Sequence, residues 1–153
     1  IETFDSSKAF VLRYGGSFMQ DVLLPINSGG KYVLMIGIGS SNRVFKDFII
    51  TDHPYIYGYL MKQTMPNGGE IFTYMLGQNT LWESKVIDEK RCMWGVYEIA
   101  DEADRVRLFL NQAERKGIPK NGSVARFDNV GIFILDDETK ALKFKDDYCS
   151  KYE

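Results

Sequence analysis

The chain has 153 residues, enough for one domain with a core of its own and no need of a metal or disulfide scaffold. Hydrophobic residues make up 44% and charged residues 26%, ordinary values for a globular protein. A formal charge of −2, with basic residues spread along the chain, excludes the basic field of a nucleic-acid binder, and no apolar run reaches the ~18–20 residues of a transmembrane helix.

We expect a single domain over 1–153. Its start at Ile1, with neither a methionine nor a signal peptide, suggests a processed or trimmed product. Apolar runs separated by glycine-rich turns dominate residues 8–100. Strands are predicted over 8–14, 19–26, 31–39 ("KYVLMIGIG"), 43–51, 55–63 ("YIYGYLMKQ"), 70–78, 81–88 and 92–100. The turns between them carry "GG", "NSGG", "GSSN", "DHP" and "PNGG", in which Gly and Asn supply positive φ and Pro ends a ladder. Eight short strands with such short loops predict an antiparallel meander.

Period-2 alternation puts Tyr55, Tyr57 and Tyr59 on one face of a strand and Ile56, Gly58 and Leu60 on the other. Ile71, Thr73 and Met75 likewise oppose Phe72, Tyr74 and Leu76, and Cys92, Trp94 and Val96 oppose Met93, Gly95, Tyr97 and Ile99. Neither face is clearly polar. A sheet apolar on both sides needs a core on one and a lid, partner or ligand on the other.

The segment 101–117 reads as the one helix. Asp101 suits an N-cap, and Val106, Phe109, Leu110 and Ala113 form a stripe at helical spacing. Arg115 and Lys116 fall in the last turn, and Gly117 and Pro119 stop it. Two final strands, 123–128 and 131–136, precede a charged tail over 137–153.

Cys92 and Cys149 have neither zinc-ligand nor redox-motif spacing, so two readings stand: one disulfide in an oxidising compartment, or two buried thiols. The tripeptide at Asn121–Ser123 fits a glycosylation sequon and carries no weight alone. The Gly-x-Gly of "IGIGSSN" has Asn42 where a dinucleotide fingerprint needs its third glycine, and reads as a hairpin end. His53 is the only histidine, which rules out multi-histidine metal sites, and its place before Pro54 marks a turn residue. No metal site and no catalytic residue are expected.

The order of elements, hairpin-linked strands followed by a helix, another strand and a late cysteine, resembles the lipocalins. "DFIITDHPYIYGYL" looks like the lipocalin segment in which Thr-Asp and an aromatic connect adjacent barrel strands, with Thr51 and Asp52 in the first two positions and His53 where tyrosine is usual. The 70–86 and 92–104 stretches are similar to late strands in the lipocalin domain of the violaxanthin de-epoxidases, and "ETFD" would place Asp5 at an acid used there. The barrel-opening Gly-x-Trp is absent, because no tryptophan precedes Trp82.

The resemblance implies a mainly β fold: a meander curled into a lipocalin-like barrel or half-barrel, with one C-terminal helix packed outside. Such a barrel can hold one small ligand. The first expectation for function is therefore non-catalytic binding of a small apolar molecule, a pigment, lipid or isoprenoid, lined by Tyr57, Tyr59, Phe72, Tyr74, Trp94 and Val96. No other cofactor is expected. The second is an accessory subunit docking onto a larger protein complex, which predicts a filled interior and outward aromatics. The third, an isomerase or de-epoxidase-like enzyme, needs an acid inside the cavity, with Asp5, Asp21 and Asp52 as candidates. A secreted or organelle-lumen location is slightly favoured.

Overall fold

The structure is a computed structural model that describes residues 2–3, 10–13, 17–41, 54–66, 68–77, 90–112 and 124–151. Among the described residues, nine strands and one helix follow in chain order: β1 (Glu2–Thr3), β2 (Phe10–Arg13), β3 (Ser17–Leu23), β4 (Tyr32–Ser41), β5 (Pro54–Met65), β6 (Gly68–Leu76), β7 (Arg91–Glu98), β8 (Arg105–Gln112), β9 (Val124–Leu135) and α1 (Glu138–Ser150). The protein is mainly β and antiparallel, with a C-terminal helix packed against the sheets. In one sheet the order is β1-β9-β4-β7, with β2 also on β9; in the other it is β3-β8-β5-β6. The strands predicted over 43–51 and 81–88, and Asp5, Asp52 and His53, lie outside the described residues.

β4 shows why "KYVLMIGIG" is apolar throughout. Val33 and Met35 face the second sheet, in a core shared with Ile56 and Leu60 of β5, Val106, Leu108 and Leu110 of β8, and Phe127, Val130 and Ile132 of β9. Leu34, Ile36 and Ile38 point the other way, beneath α1, with Cys92, Trp94, Val96, Phe133 and Leu135. The molecule is thus layered as helix, five-stranded sheet, four-stranded sheet. The middle layer is buried on both faces, which requires continuous hydrophobicity rather than alternation.

The helix expected over 101–117 is a strand where it is described. β8 pairs with β3 on one side and β5 on the other, so its backbone groups are taken up by two ladders. Val106, Leu108 and Leu110 are at most 1% exposed, while Arg105, Arg107 and Phe109 occupy the opposite face. The same apolar residues satisfy both periods. Tertiary pairing on two edges outweighs a local helical preference worth only tenths of a kcal/mol per residue. Asp101 opens a turn instead of a helix, and Asp104 accepts from the backbone N–H of Gln63.

The strands expected over 123–128 and 131–136 are one bent strand, β9. Asn129 adopts φ 51°, and the register with β4 shifts between Ile36 and Ile38. The apparent turn "DN" is a bulge within a continuing ladder. The charged tail, in turn, contains α1. Asp137 caps it by accepting from the Lys140 N–H at 2.7 Å, and Glu138 adds an acid at the positive end of the macrodipole. Ala141, Phe144, Tyr148 and Cys149 then form its buried stripe.

Candidate functional site

The outward face of the four-stranded sheet carries the most distinctive arrangement of side chains. Register alone assembles it in two rows: Met19, Phe109, Tyr57 and Leu76 stand opposite one another across β3-β8-β5-β6, and Asp21, Arg107, Tyr59 and Tyr74 form the next row. In the first, the Tyr57 and Phe109 rings stack at 4.6 Å with planes 4° apart. Tyr59 presents an edge to Phe109 at 5.1 Å and stands almost perpendicular to Tyr74 at 5.0 Å. Such pairs contribute about 0.5–1.5 kcal/mol each beyond area burial, and they join the four rings into one aromatic platform.

The platform opens at the β6 side. Tyr74 is 69% and Leu76 55% exposed, and a notch of about 290 Å³ lies between Tyr57, Gly58, Tyr74, Met75 and Leu76. Gly58 forms part of its wall because no side chain fits there: a Cβ would stand 2.7 Å from the Arg107 carbonyl oxygen and 3.1 Å from the Met75 methyl. Just beyond, the hydroxyl of Tyr97 on β7 donates to the Leu76 carbonyl and accepts from the Leu76 N–H. That side chain occupies backbone groups of edge strand β6 that would otherwise be available to another chain.

The charges on this face are paired with one another. Arg107 grips Asp21 through two bonds, Nε to Oδ1 at 2.7 Å and Nη2 to Oδ2 at 3.0 Å, and Arg105 reaches Asp21 at 3.3 Å and Asp104 at 2.8 Å. Two guanidinium groups meet two carboxylates, leaving no net charge at the centre. The Arg107 hydrogen bonds hold the Asp21 carboxyl below its usual pKa. A folded pKa below the unfolded one stabilises the fold above the unfolded value, near 3.8, and this contribution is lost as pH falls through the depressed folded value. Asp21→Asn should cost about 1–2 kcal/mol at pH 7 and flatten the acid limb of the stability curve, as read by urea unfolding between pH 2 and 7.

The six expected ligand-lining residues fall into separate places. Tyr57, Tyr59 and Tyr74 come together on this outward face. Phe72 is half-buried at a bulge, where the β5-β6 register steps from Leu60↔Thr73 to Met61↔Ile71. Trp94 and Val96 lie beneath α1 on the other sheet, with the Lys145 ammonium 4.1 Å from the Trp94 ring centroid. The space between the sheets is occupied by fully buried side chains, including Met35, Leu60, Met93, Leu108 and Phe127. Asp21 points outward into its ion pairs.

Phe109, Leu76 and the two arginines belong to the face, and the sequence reading assigned none of them to a site. Helical numbering of 101–117 hid the period-2 set Arg105, Arg107 and Phe109. Among the described residues no three His, Cys, Asp or Glu side chains gather as a metal site requires, and no helix is long and apolar enough to cross a membrane. No protein-family model, curated protein or solved structure matches the chain. The lipocalin resemblance therefore rests on the sequence motifs alone.

Proposed function

We propose that the protein is a non-catalytic docking module, and that the outward face of its four-stranded sheet receives an uncharged protein surface with one apolar anchor side chain. The observation that carries this reading is the notch beside two largely exposed apolar residues, Tyr74 and Leu76, on the aromatic platform. Its volume of about 290 Å³ is at the lower limit of the ~300–1,000 Å³ that enclose whole small ligands, and it is open to one side. That size suits a single anchoring side chain, the usual centre of a binding hot spot.

Charge supports the same occupant. The two acids and two arginines of the face neutralise one another, so a charged partner would gain nothing without breaking those pairs. Four strands at ~4.8 Å spacing, over five to seven residues at ~3.3 Å, make a face of roughly 300–450 Å². That is about half of the ~800 Å² per partner in a standard interface, so the face forms its apolar centre and neighbouring polar loops its rim. A polar hollow lined by Gln63, Pro66, Gly68, Gly69 and Arg107 supplies part of that rim.

Panning a random-peptide library against the native protein, with counter-selection on the Tyr74→Ser/Leu76→Ser variant, tests the proposal. Enriched peptides should share one aromatic or branched aliphatic residue with little net charge around it. A charged consensus, or equal recovery on the variant, would overturn the reading. A stoichiometric pigment or lipid in an organic extract of the native protein would replace it with small-ligand binding.

A further inference from the structure

The opposite side of the molecule carries a helix whose attachment is independent of the docking face. Helix α1 follows β9 directly through Asp136 and Asp137, and near its far end Cys149 is bonded to Cys92 on β7. The helix is therefore fastened at two points, a chain hinge and a disulfide. Between them it is held by one short apolar stripe. Ala141 is its one fully buried residue, and Phe144 and Tyr148 pack against Phe133 at 4.7 and 5.8 Å. The Tyr148 hydroxyl donates to the Asn129 carbonyl, and Lys145 covers Trp94. A free 13-residue helix is marginal in water, so its order depends on being held down.

Beneath it lies a face far more apolar than the helix itself: Leu34, Ile36 and Ile38, with Trp94, Val96, Phe133 and Leu135 around them. The two sulfurs differ in access. Cys92 is 1% exposed, whereas Cys149 is partly exposed on the helix. Of the two cysteines, Cys149 is the one that solvent reaches.

We propose that Cys92–Cys149 is a redox latch, and that its reduction by a protein dithiol lets α1 swing on the Asp136–Asp137 hinge and uncovers this apolar face. The reductant's thiolate bonds to the Cys149 sulfur as the S–S bond breaks, and Cys92 leaves as a thiolate that takes up a proton. The reductant's second thiol then displaces Cys149, which is also protonated. The protein has gained two thiols and the reductant holds a disulfide. An oxidising compartment keeps the helix closed, and entry into a reducing one opens it.

Amide hydrogen exchange on the full chain, oxidised and after equilibration with dithiothreitol, reads the switch directly. Residues 138–151 should exchange at least tenfold faster in the reduced protein, while β4, β5, β8 and β9 keep their protection and a dye for apolar surface brightens. The Cys92→Ala/Cys149→Ala variant should match the reduced state without any reductant. Unchanged protection of α1 after reduction would overturn the latch. So would loss of protection throughout both sheets, which would make the bridge a staple of the whole fold.

Discussion

Leu108→Ala should lower the unfolding free energy by about 2–5 kcal/mol, and Phe109→Ala by only about 1–2 kcal/mol. The difference follows from the parity of β8. Leu108 is 1% exposed between the sheets, so its truncation leaves a cavity in close-packed surroundings. Phe109 lies on the outward face, where it loses its stacking on Tyr57 and a partly buried ring surface but opens no internal void. A helix over the same residues would reverse the order, because Phe109 belongs to the helical stripe and Leu108 does not. Urea unfolding of the two variants decides between them, and a larger loss for Phe109→Ala would contradict the strand.

The second large effect concerns binding. Tyr74→Ala and Leu76→Ala should each weaken binding of a peptide selected on the native face by about 10- to 100-fold, or about 1.4–2.8 kcal/mol. Either change should alter the unfolding free energy by less than about 1 kcal/mol, because both side chains are mostly solvated in the free protein. Titration calorimetry with the selected peptide, set beside denaturant unfolding of the same variants, separates the two quantities. Loss of binding accompanied by a large loss of stability would mean that these residues support the fold and do not form the contact.

The sequence revealed what depends on local chemistry. β4, β5, β6 and β7 lie within a few residues of their expected spans, because glycine and asparagine turns bound them and period-2 patterns fill them. What it could not reveal depends on partners distant in the chain. "RVRLFL" satisfies helical and extended periods equally, and the choice is made by β3 and β5, which lie more than 40 residues away along the chain at Met61↔Arg105.

The helix α1 was hidden by its charge. Its stripe at Ala141, Phe144 and Tyr148, and its cap at Asp137, were present in a segment whose acids and lysines suggested a solvated tail. The bulge at Asn129 shows the opposite error, a turn signal absorbed within a strand. The candidate site was legible in part. Alternation grouped Tyr57 with Tyr59, but it could not say which face of the sheet would be covered. The two expected tryptophan-strand residues, Trp94 and Val96, belong to the layer that α1 covers, whereas among the described residues no helix lies over the tyrosine face.

The methionine methyl groups offer the most direct measurement. Met19 stands on the outward face 53% exposed, Met75 borders the notch while itself only 1% exposed, and Met35 and Met93 are fully buried between the sheets. With methyl-labelled methionine and a peptide selected on the native face, NMR titration should shift Met19, with Met75 following as the notch fills, and leave Met35 and Met93 in place. Shifts concentrated at Met35 and Met93, with Met19 unmoved, would place the ligand between the sheets and contradict docking on the outward face.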